Sequence, residues 1–572
     1  MKKLLKYFRG YIKETVLGPL FKLFEATLEL IVPLIIASII DVGISDGNRT
    51  YVLWMCGILA LLGLIGLGFS LTAQYYAAKA SVGFVTQVKR GLYQHLQSLS
   101  YADMDRLGTS TMITRMTADS SKLQTGLNLT LRLLLRSPFV VFGAMVMAFS
   151  IDFDSGINFA VVILGLSVVV FGIMLITMPM YKKVQGGLDC ILNRTRENLA
   201  GVRVIRAFGM EDSEIKDFRR ENNILTLGQR RVGNVSALMN PLTYVIINVG
   251  VILLIHIGAL KVDGGSLSQG EVIALYNYMA QILVELIKMA NLIVSISKAL
   301  ASASIISSVF DITPSQVYGS VTEGKVCEAS VELKGVWAGY NENAESALED
   351  ITFSAKIGET IGIIGGTGSG KTTLINLITR FYDASLGEVK IDGVNVKDYT
   401  REALIKKIGI VPQRAVLFRG TIRDNMKWRM KDASDEEINR ALRIAQATDF
   451  VSEKGGLSAE VSAGGRNFSG GQRQRLTIAR ALVGDPEILI FDDSASALDY
   501  ATDAALRSAI RTLSGDKTVF IVSQRAASVM HADRIIVLDD GRAVGIGDHN
   551  YLLQNCSVYR EIYDSQFSKE VS

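Results

Sequence analysis

Cysteine and histidine are almost missing from this sequence. Its 572 residues include 4 cysteines and 4 histidines. Cys56, Cys190, Cys327 and Cys556 form no CxxC pair. That scatter excludes a disulfide framework or a cysteine-based zinc site and predicts free thiols in a reduced setting. His95, His256, His531 and His549 have no ligand spacing either, so a histidine metal centre is not expected. Charge of one sign is scarce as well. Lys and Arg number 60 against 56 Asp and Glu, a formal net of +4. So mild a balance gives no ground for a nucleic-acid partner. No stretch pairs a short apolar core with a clear small-residue cleavage site, so no cleavable secretory signal is expected. Internal repeats and low-complexity tracts are absent.

Apolar length is what the chain has in plenty. Hydrophobic residues make up 49%, and the mean hydropathy of +0.29 points to a membrane. Six runs long enough to span a bilayer lie near 16–44, 52–78, 127–150, 157–180, 236–260 and 271–300. The first carries Lys22, Glu25 and Glu29; the sixth carries Glu285 and Lys288. Ionisable residues inside spans face a bundle interior or a water-filled cavity, unless they sit near an end and snorkel. The connections at 45–51, 151–156 and 261–270 are short, while 79–126 and 181–235 are long and basic. The positive-inside rule therefore puts both long loops and both termini in the cytoplasm. Lys2, Lys3, Lys6, Arg9 and Lys13 predict a basic amphipathic segment on the bilayer surface. Few Pro or Gly residues break the long loops, so the spans are expected to continue into them as rigid helical stalks.

After Pro314 the texture changes to alternating strand-like and helix-like segments with Gly-rich punctuation. The expected organisation is a six-helix, all-α membrane domain over 1–310, a linker over 311–327 and a soluble α/β domain over 328–572. GGTGSGKT, Gly365 to Thr372, fits the phosphate-binding loop pattern, with strand ETIGIIG before it and helix KTTLINLITRFY after it. Gly365, Gly366, Thr367, Gly368, Ser369 and Gly370 would curl backbone N–H groups around phosphates at a helix N-terminus. Lys371 would reach the β and γ phosphates, Thr372 would ligate Mg²⁺, and Thr373 follows in the same turn. ILIFDD ends an apolar strand on Asp492, which suits the acid that holds Mg²⁺ through water.

FSGGQRQR, Phe468 to Arg475, resembles the signature of ATP-binding-cassette transporters, and other elements follow in the family's order. Tyr340 looks like the aromatic that stacks on adenine. Gln413 in GIVPQ looks like the residue that touches Mg²⁺ and the attacking water. Ser496 to Asp499 looks like the D-loop, and AEVSAGGRN resembles the cross-domain loop of exporters. Six spans before one nucleotide domain match an exporter half-transporter, and the resemblance covers essentially the whole chain. It implies the type I exporter (type IV ABC) fold, ATP and Mg²⁺ as cofactors, and a bacterial inner membrane. It also implies that Ser469, Gly470, Gly471 and Gln472 cap the ATP of a second half-transporter. Coupling helices are expected near Thr114–Lys122 and Leu199–Glu211. A soluble repair or translation ATPase also uses SGGQ, but six spans exclude it.

Two positions depart from the family. Where Glu usually follows the Walker B Asp, this chain has Asp493. One methylene fewer withdraws the carboxylate by about 1 Å, and a misplacement of that size can cost about 10²-fold in rate. Where the switch loop usually has His, this chain has Gln524, which can hydrogen-bond but brings no positive charge. Both departures weaken one half-site, a pattern the family shows in heterodimeric multidrug exporters. The expected partner keeps the Glu and the His, and the expected substrate is an amphiphilic small molecule. Tyr278, Met279 and Met289 are candidates for lining its cavity, against ordinary span packing, which is the favoured reading of the three. The alternatives are a homodimeric flippase for lipids or lipid-linked molecules, and an ATP-gated regulatory, channel-like module.

Overall fold

The computed structural model describes residues 2–325, 327–340, 346–494, 498–512 and 517–567. The chain divides into two compact units. The first contains Met1–Gln97 and Thr109–Ile312; the second contains Ser98–Gly108 and Thr313–Ser572.

The first unit is all helix. Among the described residues, six helical stretches are long and apolar enough to cross a membrane: Lys3–Ile44, Arg49–Ser98, Thr109–Ile151, Phe153–Ala200, Glu211–Asp263 and Gln269–Val309. They take in the six expected runs and extend well past them. The second span is one unbroken helix of 50 residues, about 75 Å long at 1.5 Å per residue. Side-chain caps mark where helices begin. Asp152 accepts from Ser155 N, and Ser268 forms a capping box with Glu271. Small residues let the spans approach closely; Ala26, Ala77, Ala80, Ala144 and Ala274 are fully buried.

Burial decides between the alternatives left open for Tyr278, Met279 and Lys22. Tyr278 and Met279 are fully buried, and the Tyr278 hydroxyl donates to the Leu30 carbonyl at 2.5 Å. They belong to span packing. Met289 is half-buried. Lys22 does not snorkel: it is 7% exposed and donates to Glu25 at 2.5 Å and to Ser70 at 3.3 Å.

The second unit is α/β. Its larger sheet is built from β1 (Thr360–Gly365), β2 (Ile408–Val411), β3 (Ile488–Asp492), β4 (Thr518–Val522), β5 (Arg534–Asp539) and β6 (Arg542–Gly547). The order is β6-β5-β1-β4-β3-β2. All neighbours are parallel except the edge strand β6. The inner strands read as near-continuous apolar runs because helices cover both faces; every residue of β3 is buried. A four-stranded antiparallel sheet joins Ala329–Ala338 to Leu348–Lys356 and Leu386–Ile391. The larger sheet fixes the site. In register, Ile363 of β1 pairs with Val522 of β4, which pairs with Asp492 of β3. The carboxyl ends of three adjacent parallel strands therefore converge, the crevice where open α/β sheets bind ligands.

Candidate functional site

Gly365 ends β1, and the loop after it turns into the helix Lys371–Ile378. Gly370 caps that helix with φ of 94°, a left-handed conformation suited to glycine. A Cβ there would also lie 2.6 Å from Leu348 Cδ2 and 2.7 Å from the Ala347 carbonyl. Gly366 differs: a Cβ would meet nothing within 4 Å, so no neighbour in the chain requires glycine at that place. A phosphate approaching the backbone would. Lys371 Nζ donates to the carbonyls of Gly365 at 3.0 Å and Gly366 at 2.5 Å. Burial pulls its pKa down, against the pull of Asp493 and Asp492.

The acids face this loop. A cavity of about 330 Å³ is lined by Thr367, Gly368, Gly370, Lys371, Thr372 and Thr373 on one side. Gln413, Asp492, Asp493, Ser523 and Gln524 line the other, and Tyr340 is at its edge. Asp492 is 6% exposed. Burial, then the neighbouring Asp493, pushes its pKa up to about 6, opposed by the Thr372 hydroxyl and Lys371. Asp493 is raised too, mainly by burial, while Arg525, Lys371 and a hydrogen bond to Gln413 hold it down. A buried and a partly buried carboxylate beside a threonine hydroxyl and a glutamine amide are hard oxygen donors that suit Mg²⁺ shared with phosphates.

Asp493 has φ of 42°, and its N–H donates to the Val522 carbonyl at 2.9 Å. Asp tolerates left-handed backbone well, so the residue fits its turn, though its carboxylate is shorter than the glutamate usual in the family. Gln524 is exposed, and its carbonyl accepts from Gln566 at 2.9 Å. Tyr340 hydrogen-bonds Thr373 Oγ1 at 3.0 Å. Its ring meets Tyr382 edge-on, with centroids 5.0 Å apart. Sequence reading missed Arg525, whose charge bears on Asp493. Its place directly after Gln524 was the available signal.

The signature residues do not line this cavity. Ser469 caps the helix Gly470–Leu482 in a reciprocal box with Gln472: Gln472 N donates to Ser469 Oγ at 3.3 Å, and Ser469 N to Gln472 Oε1 at 3.1 Å. Ser469 and Gly470 are exposed, Gly471 and Gln472 partly so. A Cβ on Gly470 would meet nothing within 4 Å. The loop ahead of them is stapled by Asn467, which donates to Glu460 O at 2.7 Å and accepts from Ser462 N at 3.0 Å. In the expected D-loop, Ser496 and Ala497 lie outside the described residues; Asp499 caps the helix Tyr500–Arg511.

The expected coupling segments, Thr114–Lys122 and Leu199–Glu211, lie in the helical first unit. The segment that joins the second unit is Ser98–Gly108. It carries a capping box of Ser100 and Asp103, and Asp103 also accepts from Ser315 N at 3.0 Å. Tyr101 packs on Phe381 with centroids 4.6 Å apart.

Comparison with known proteins is consistent along the chain. Residues 15–286 match the ABC transporter transmembrane region, and residues 348–496 match the ABC transporter family. An uncharacterized ABC transporter ATP-binding protein of Bacillus subtilis is 34% identical, with 100% of each chain covered. Another, of Mycobacterium bovis, is 34% identical over 98% of this chain and 97% of its own length. The ATP-dependent lipid A-core flippase of Vibrio vulnificus is 28% identical over 92% of this chain and 90% of its own. The structure of a bacterial Atm1-family ABC exporter with ATP bound superposes with a TM-score of 0.80 at 22% identity, covering 99% of both chains.

Proposed function

This chain belongs to the ABC transporter family, and on that premise we propose that it is one half of a heterodimeric, ATP-driven exporter of amphiphilic small molecules. It works in a bacterial inner membrane, with the nucleotide unit and both termini in the cytoplasm. Its own phosphate loop, Lys371, Thr372, Asp492 and Tyr340 hold ATP and Mg²⁺ but turn ATP over slowly. Its Ser469, Gly470, Gly471 and Gln472 complete the competent site of a partner that carries the Glu and the His.

One observation carries this reading. Asp493 and Gln524 line the same cavity as Lys371, so both departures fall on one half-site, while the signature helix keeps an intact capping box. The test is ATP turnover by the assembled pair in lipid nanodiscs. Asp493→Asn is expected to change kcat by less than about twofold. Ser469→Ala is expected to lower it about 10²-fold, the size of one lost transition-state donor. Collapse of turnover in Asp493→Asn would make Asp493 a working base and overturn the reading. The relative named as a lipid A-core flippase supports a second reading, a homodimeric flippase, which requires that same collapse.

A further inference from the structure

Inside the membrane unit, charged side chains of three spans meet in one layer. Arg136 of the third span donates through Nη1 to Glu285 of the sixth at 2.6 Å, and through Nη2 to Glu29 of the first at 2.6 Å. Glu285 also accepts from Ser137 at 2.8 Å and from Lys288 at 2.8 Å. Glu29, Arg136 and Glu285 lie 15 or 16 residues from Ile44, Ile151 and Gln269, the ends of their spans. At 1.5 Å per residue that is about 22–24 Å deep along each helix. Ionisable groups at such depth are expensive and mark substrate or ion pathways.

Two observations make this more than a tie between helices. Arg136 is 7% exposed, yet its Nε has no partner among the described residues. The acids are also served unequally. Glu285 has three donors and a 4% exposed side chain, whereas Glu29 has one donor and a 40% exposed side chain. A carboxylate accepts about four hydrogen bonds, so Glu29 is the unsatisfied charge of the layer. Its opening does not share the exposed apolar stripe of the first span. That stripe runs through Val16, Leu20, Phe24, Thr27 and Ile31. Glu29 is two residues from each of the last two, about 200° round the helix.

We propose that Glu29 is the head-group subsite of the transport pathway and that the preferred substrates are lipophilic organic cations. An entering cation takes Glu29, and Arg136 stays compensated by Glu285. No bond is made or broken; one ion pair exchanges for another. This deepens the proposed export of amphiphiles and rests on it.

The test measures equilibrium binding of two probes alike in shape and opposite in charge, tetraphenylphosphonium and tetraphenylborate, to the assembled transporter in nanodiscs. Tetraphenylphosphonium is expected to bind saturably. Glu29→Gln is expected to raise its Kd at least tenfold and leave tetraphenylborate unchanged. Glu29→Asp, which keeps the charge, is expected to keep the preference for the cation and serves if the Gln variant does not assemble. Equal weakening of both probes, or a cation Kd within threefold of the parent, overturns the proposal and makes the layer a structural tie. Stimulation of ATP turnover by neutral amphiphiles, with no binding of the cation, also overturns it and leaves export standing. If no amphiphile of any charge stimulates turnover, the export reading itself falls.

Discussion

The two units bury carboxylates in opposite ways. In the nucleotide unit, Asp492 and Asp493 are neighbours on one cavity wall, and the charge of Asp493 helps to raise the pKa of Asp492. In the membrane unit, Glu285 and Glu25 are each matched by a base within 2.8 Å. The difference teaches what each place is built to meet. Surplus negative charge beside Lys371 suits a divalent cation brought with phosphates. A neutralised layer can exist in an apolar surrounding before any ligand comes.

The largest expected effect breaks the second arrangement. Arg136→Met leaves two carboxylates facing each other without their shared cation. Breaking a buried pair from one side costs about 3–5 kcal/mol, so melting of the reconstituted protein should fall by many degrees. Pairing the change with Glu285→Leu should recover much of that loss, and no recovery would mean the layer is not one electrostatic unit.

A smaller effect sharpens the first arrangement. Folded Asp492 holds its proton up to about pH 6, against an ordinary value of 3.8. The folded state thus binds more protons than the unfolded chain across that window, and its stability falls as pH rises through it. Asp492→Asn removes the cost. In nucleotide-free protein it should raise the calorimetric melting temperature of the nucleotide unit at pH 7.5, by roughly 2–4 °C per kcal/mol relieved. The gain should shrink towards pH 4, and an equal gain at both values would refute the electrostatic cause. The same variant should lose Mg²⁺-dependent tightening of ATP binding.

The smallest effect concerns Tyr340. Stacking on adenine is worth about 1 kcal/mol, so Tyr340→Leu should weaken ATP binding about fivefold by titration calorimetry. An unchanged affinity would confine Tyr340 to its contacts with Thr373 and Tyr382.

Most of the nucleotide site could be read from the sequence because its chemistry is local. A phosphate loop joins a strand to a helix within a dozen residues, and at Gly365 and Gly370 the space around the backbone leaves no room for a Cβ. Asp492 was legible as the end of an apolar strand, although its register with Val522 and Ile363 was not. Six spans were legible from apolar length alone. What could not be read depends on contacts between distant segments. Tyr278 and Met279 look like adaptable lining residues in sequence, but burial against the first span gives them a packing role. Lys22 stands near the start of its run and suggested a snorkelling end; Glu25 and Ser70 hold it inside. Ser98–Gly108 carries no motif, and its place in the second unit comes from Asp103, Tyr101 and Asp105 meeting residues more than 200 positions away.

That last segment bears on how the chain can be cut. Asp103 accepts from both the amide and the hydroxyl of Ser315, and Asp105 takes the hydroxyl of Tyr382. Burial, with Asp105 beside it, keeps that phenol protonated well above its ordinary range. A polypeptide begun at Thr313 would therefore carry Ser315, Phe381 and Tyr382 without their companions. For anyone isolating the nucleotide unit, the natural boundary is discontinuous. Supplying residues 98–108 as a tethered peptide is the direct way to restore the missing surface.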